Sequence, residues 1–433
     1  MDTDPFVAAT RFGLGARPGD LAAIRDTGPR DWLLAQLAAP DAYVESRLAG
    51  LPRASDAVLR LAAMRGQDAD VRKTGKLEVK DAFVDEHSAH LAAAAGTTMP
   101  FRERLVACWS NQFTVSIARK EVTGLAGAFE REVIRPGIDG SFADLVVASA
   151  RHPAMLAYLD NAKSVGPESM AGRRGDRGLN ENYAREVLEL HTLGVNGGYD
   201  QADVTALARL LTGWTLDLAP ATGIWPLGGG GTGGFAYRAE RHEPGTQVVL
   251  GRSYRDAETA LRDLAVHPST ARHVATRLVR QFVADDPPDD VVTALAQAFL
   301  VSGGDLPTVH RALVGLDAAW SRPLTKVKTP WDLVVSTSRA LGGTDGTAML
   351  RSLKFLGQLP YQAPSPQGWP DRAADWIGPG ALWARLEWAS EVGRRAPPLD
   401  AVALADDVLG PALDASTRRA LARAPTASAW LAV

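Results

Sequence analysis

A mainly α-helical fold, a multi-helix single globular domain carrying one small β-hairpin insertion, is what the sequence predicts. Apolar residues recur at three- and four-residue spacings through most of the chain, the mark of helices with one buried face. Gly or Pro punctuates almost every such run. Short β-rich runs flank a turn dipeptide at one place, around residues 235–252.

Taken in order, Leu21, Ile24, Trp32, Leu33 and Leu37 mark two short helices broken at Gly28-Pro29, and "DAVLRLAAMRG" supplies a third. The stretch "GQDADVRKTGKLEVKDAF" is very polar and reads as a loop entering the helix "LEVKDAFVDEHSAHLAAAAG". Helical spacing returns in "MPFRERLVACWSNQFTVS", "TGLAGAFEREVIRPG" and "SFADLVVASARHPAMLAYLDN". Residues 163–180 form a Gly- and Arg-rich loop, either a functional loop or a solvated connection. "ENYAREVLELHTLG" at 181–194 and "QADVTALARLLTGWT" are helical, and Asp200 with Asp203 has the spacing of a capping box. Residues 216–236 are too rich in Gly and Pro for regular structure; "FAYRAERHE" and "TQVVLGRSY" then flank Pro244-Gly245 as the predicted hairpin, closing a loop-plus-hairpin unit over 216–252. The remainder is helical except for "LGQLPYQAPSPQGWPD" at 356–371, whose prolines forbid a helix. Its two large aromatics suit a pocket wall and would serve equally to pack the loop down. No internal repeat is present.

Composition narrows the function. The chain has 433 residues, net charge −3, 46% hydrophobic and 22% charged residues, with Lys and Arg scattered. That is ordinary globular composition without the basic footprint of a nucleic-acid binder. The single cysteine, Cys108, excludes an internal disulfide and reads as a buried inert thiol. No run approaches the length of a membrane span, and the acidic N-terminus lacks signal-peptide features, so the default expectation is cytoplasmic. "RFGLGARPG" and "GGGGTGG" do not join strand to helix as nucleotide loops must, and no Ser-centred nucleophile elbow occurs.

Several segments, in order and spacing, resemble a bacterial family known as domain of unknown function 1800: "RFGLGARPGD", "WSNQFTVS", "HPAMLAYLDN", "LNENYAREVLELHTLGVNGGYDQADVTALARLLTGWT", "HEPGTQVVLG", "HPSTARHVATRLVRQFVADDPP" and "PSPQGWPD". The resemblance covers nearly the whole chain and implies a fold, without a reaction. It also implies a possible partner, since members are often encoded beside a second family, domain of unknown function 1501, resembling the sulfatase and alkaline phosphatase superfamily. The chain departs from the family pattern at Gln112, where a histidine is common, which counts against a bound metal. It also stops at "ASAWLAV", where relatives run on, so the last helix is expected to be incomplete.

The helix at 181–194 holds the richest chemistry. On a regular helix Asn182, Arg185, Glu186 and Glu189 share one face, and Tyr183, Ala184, Val187, Leu188 and His191 form the other. Glu189 and His191 then point apart, so the helix alone is no metal motif. Facing a cleft, Glu186 and Glu189 would repel, letting one hold a proton as general acid while the other stays ionised. Facing solvent, they are ordinary surface charges beside Arg185; the density of surrounding motif residues favours the cleft. His191 fits a core position, or a ligand. His242 and Glu243, expected to be exposed before the turn, favour function. His152 and His267, each before a proline, are explained as well by capping or by hydrogen bonding to a loop, and His273 follows on the next helix. Were His191, His242 and His267 to converge with the glutamates, they would suit zinc, iron or manganese. The leading expectation is a hydrolase-type enzyme using Glu186 and Glu189 for acid/base work or as metal ligands, with Asn182 on the same face, Arg185 holding an anionic group, and His191 and His242 completing the site. The competing one is a non-catalytic binding or assembly protein, with the motif helix a structural polar network.

Overall fold

The computed structural model describes residues 3–63, 68–175, 178–217, 232–321, 324, 326–396 and 399–423. Helices dominate these residues, and two small antiparallel sheets of two strands each complete the regular structure. No described helix is long and apolar enough to cross a membrane. The C-terminal "ASAWLAV" and most of the Gly-rich stretch after Leu216 lie outside the described residues.

The first break falls as expected, with helices Asp20–Thr27 and Pro29–Ala35 separated by Gly28 at φ +90°. Glycine takes that conformation without the steric penalty of a Cβ. The next region corrects the loop expected in the polar stretch. Helix α1 (Ala69–Gly96) runs 28 residues straight through it. The segment contains no proline and is rich in good helix formers, so its exposed polar positions need no packing partner to remain helical. Helix α2 (Pro100–Gln112) follows, then the motif helix α3 (Asn182–Glu186) and α4 (Gln201–Leu211). Asp200 and Asp203 close a complete capping box at the start of α4.

The strands pair differently from expectation. β1 (Trp214–Leu216) pairs with β2 (Phe235–Tyr237), and β3 (Gln247–Val249) pairs with β4 (Arg252–Tyr254). Pro244-Gly245 therefore joins no hairpin. The tight turn is Leu250-Gly251, both at positive φ as a two-residue hairpin of this hand requires. β2 instead finds β1, where Trp214 and Phe235 meet edge to face at 5.3 Å.

Two apolar clusters meet along one seam of the molecule. The larger draws on residues from Val7 to Trp320, including Leu105, Val106, Phe113, Phe129 and Ile134. The smaller joins Leu91, Ala94 and Ala95 of α1 to α6 (Pro330–Ala340) and α7 (Gly346–Phe355), with α5 (Pro268–Phe282) lying in the larger one. Among the described residues, three helices contain a π turn: Ala8–Phe12, Glu130–Ile134 and Val187–His191. Such single-turn insertions are frequent at functional sites.

Candidate functional site

The motif helix buries the face expected of it: Tyr183, Ala184, Val187, Leu188 and His191 are all buried. Its other face carries little apparatus. Arg185 is tied to Gln201 at 2.8 Å and lies 3.7 Å from Glu181, the surface ladder rather than an anion clamp. Asn182 is exposed. Glu186 and Glu189 are half-buried, and among the described residues neither carboxylate has a hydrogen-bond or ion-pair partner. Burial raises the Glu186 carboxyl above its usual range, Glu189 adds to the effect and Arg185 opposes it.

The expected metal histidines do not converge. His191 packs on Phe113 at 5.1 Å, and burial drops it to about 3, aided by His273. His242 Nδ1 lies 2.9 Å from the Thr212 carbonyl, and Glu243, expected to be exposed, is buried with Oε2 accepting from the Glu168 amide at 2.9 Å. His267 caps α5 by accepting from the Ser269 amide, and His152 caps its own helix in the same way. Among the described residues, no three His, Cys, Asp or Glu side chains are grouped to hold a metal ion. Gln112 has a backbone role instead. Its Nε2 donates to the Leu190 carbonyl at 2.5 Å, and His273 Nε2 sits 2.9 Å from the same oxygen, at the end of the π turn.

A different site is built where α1, the second π turn and the Pro-rich loop meet. Glu103 of α2 receives both arms of Arg135, at 2.7 and 2.8 Å. Arg135 also reaches Glu130 Oε1 at 2.9 Å. The Tyr361 hydroxyl donates to the other oxygen of Glu130, and His90 Nδ1 lies 2.9 Å from Oε1, out of line for a hydrogen bond. Burial alone would push Glu130 up, yet His90 and Arg135 hold it well below the carboxylate range. Glu86 receives Arg131 Nε at 2.9 Å. A Cβ on Gly127 would stand 2.3 Å from the Glu86 carboxyl carbon, so any larger residue there would have to displace the Glu86 side chain from its place beside Arg131.

Like His90, His87 makes no hydrogen bond, and unlike His90 it lies in ion-pair range of no carboxylate among the described residues. It is 1% exposed, it stacks on Tyr361 at 4.8 Å, and neither ring nitrogen has a hydrogen-bond partner. Burial lowers its pKa to about 3, with His90 adding to the effect and Glu130 opposing it. The ring is neutral at physiological pH, offering one donor and one acceptor.

These groups floor a cavity of about 170 Å³ at the seam between the two apolar clusters. Its walls are Leu91 and Ala94 of α1, Val106 and Ala107 of α2, Trp331 of α6, and Pro360, Trp369 and Pro370 of the Pro-rich loop. The loop is held down by Trp369, whose amide donates to Asn111 Oδ1 at 2.7 Å while Asn111 Nδ2 donates to its carbonyl at 3.0 Å. The aromatics of 356–371 thus both line a pocket and pack the loop. Cys108, also at the wall, is pushed by burial to about 12, an inert thiol. A wider hollow, lined by Ala62, Asp160, Lys163 and Leu216 among others, adjoins in sequence the stretches 64–67 and 218–231 outside the described residues.

Sequence reasoning missed this site because its polar residues are scattered. The legible signal was "EHSAH" on α1, two imidazoles and a carboxylate within five residues. Neither curated proteins nor solved structures give a significant match to the chain. The match that exists is to a family model described as a protein of unknown function, DUF1800, and it spans residues 7–431. The chain belongs to the DUF1800 family.

Proposed function

We propose that this chain binds a small, largely apolar molecule in the cavity beneath the Pro-rich loop, with His87 reading an uncharged polar group on it. The observation that carries this reading is the buried, unpartnered imidazole at the floor of an apolar cavity. A purely structural polar core satisfies its groups, because each unmet buried donor or acceptor costs about 1–3 kcal/mol. His90 beside it makes no hydrogen bond either but lies within ion-pair range of Glu130 and Glu86, whereas His87 has neither kind of contact, which makes it the position for a ligand. An apolar cavity of about 150 Å³ is known to take up benzene, which sets the size class of the ligand fragment. Trp331 and Trp369 in its lining add aromatic surface for such a ring. The test is binding of benzyl alcohol, followed by calorimetry. Wild-type protein is expected to bind it saturably, and Ala107→Phe, which fills the cavity, to lose it. Equal binding by both proteins refutes the assignment.

A second reading keeps acid–base catalysis, hydrolysis included, on the motif helix. It is favoured by the raised Glu186 carboxyl beside an ionisable Glu189, neither of them neutralised by an ion pair. In that reading Glu186 is the general acid and Glu189 the ionised partner. The Glu186→Gln/Glu189→Gln double variant separates the two readings, since it leaves benzyl alcohol binding intact if the cavity is the ligand site.

A further inference from the structure

Beside the apolar cavity lies a second, smaller one of about 50 Å³, and its walls are basic. Arg11, Arg104, Lys326 and Lys328 line it, against the two acids Asp332 and Asp371. Both acids are engaged: Asp332 accepts from Arg104 Nη1 at 2.7 Å and caps α6 with Thr329, while Asp371 lies 3.6 Å from Arg277. Lys326 is paired with Asp285. Lys328 has no such partner. Its ammonium donates to the Ser336 hydroxyl at 2.8 Å, leaving the other two of its three N–H donors without an acceptor among the described residues. The buried Nε of Arg104 has none either. Burial brings the Lys328 amine down to about 8, with Asp332 opposing the effect and Arg104 adding to it.

The two cavities share Arg104, Gln281, Thr329 and Asp332 as a common wall. We propose that the basic cavity is the subsite for a small oxyanion, a carboxylate or phosphoryl group, borne by the ligand whose apolar body fills the first cavity. The ligand class is then an organic acid with a compact apolar or aromatic body. This rests on the reading of the first cavity, although the anion subsite has its own observations. The room is that of a few waters, enough for a terminal acid group and too small for a larger headgroup. Lys328 and Arg104 supply the charge-assisted donors, and Gln281, whose amide has no partner among the described residues, stands at the shared wall.

Three probes test this by calorimetry on the full chain: inorganic phosphate, benzoate and benzyl alcohol. Wild-type protein is expected to bind phosphate and benzoate saturably. Lys328→Met is expected to weaken both at least about tenfold, the loss of one charged contact, while binding benzyl alcohol as before. Lys328→Gln, which keeps a polar end, serves as a second variant should the methionine protein fail to fold. Phosphate and benzoate that do not bind, or that bind both Lys328 variants as they bind wild type, overturn the anion subsite. Benzyl alcohol failing to bind while phosphate binds in a Lys328-dependent way instead overturns the first-cavity reading and leaves the anion subsite standing.

Discussion

His87 carries a cost that folding alone does not explain. Its ring is enclosed by Phe83, His90 and Tyr361, and both nitrogens lack partners. Replacing it with phenylalanine removes the unmet polar atoms and keeps the stacking surface. His87→Phe is therefore expected to be as stable as wild type or up to about 2 kcal/mol more stable by urea denaturation. A loss larger than about 2 kcal/mol would mean that the imidazole has a structural partner after all. Glu130 is the opposite case, since Arg135 and Tyr361 depend on it. Glu130→Gln leaves Arg135 with Glu103 alone and is expected to cost about 3 kcal/mol. The pH dependence has a definite sign. The folded carboxyl is depressed below its ordinary 4.5, so its contribution is complete above that value and is lost as pH falls further. The stability difference between wild type and Glu130→Gln should then narrow progressively as pH falls below about 4.5. A difference that does not narrow would show that Glu130 is not ionised in the native state.

At the scale of elements, the π turns decide where the polar groups go. One extra residue per turn frees a backbone carbonyl from the usual ladder, and something else must satisfy it. Where Val187–His191 ends its helix, the Leu190 carbonyl has no following amide to accept from and is met by Gln112 and His273. Gln112→Leu is expected to cost about 1–2 kcal/mol by thermal unfolding, because His273 remains; no loss would mean that His273 alone suffices. Gly127→Ala should cost about 1–3 kcal/mol, since its methyl would displace the Glu86 side chain from Arg131. An unchanged midpoint there would show that the Ala126–Phe129 segment can move away from α1. Helical periodicity, the Gly28 break, the Asp200–Asp203 box and the proline-bound loop were legible because each is a local signal. The β1–β2 pairing was not, because it joins strands across a Gly-rich stretch and depends on a Trp214–Phe235 contact. The cavity was not legible either. Its floor gathers His87, Glu103, Glu130 and Tyr361 from separate regions, and no spacing in the chain records that they meet.

For the molecule as a whole, the seam between the two apolar clusters is where packing gives way to chemistry. The apolar cavity lies there, and the basic one adjoins it with Arg104, Gln281, Thr329 and Asp332 in common. The basic cavity leaves a trace in global stability. The Lys328 amine is at about 8 in the folded chain against 10.5 ordinarily. The unfolded chain thus binds more protons between these values, and stability attributable to this group rises with pH across the window. Below about pH 8 the full penalty applies, on the order of 3 kcal/mol. Lys328→Met should accordingly be more stable than wild type at pH 7, with the difference shrinking toward pH 10.5. A difference independent of pH would mean that the amine is solvated in the native state.

The most direct test of the central claim is calorimetric binding of benzyl alcohol to four proteins: wild type, Ala107→Phe, His87→Phe and Glu186→Gln/Glu189→Gln. The cavity account predicts binding that is lost in Ala107→Phe, weakened at least about tenfold in His87→Phe and unchanged in the double glutamine variant. Binding that survives the first two substitutions and fails in the third would contradict it and place the ligand on the motif helix.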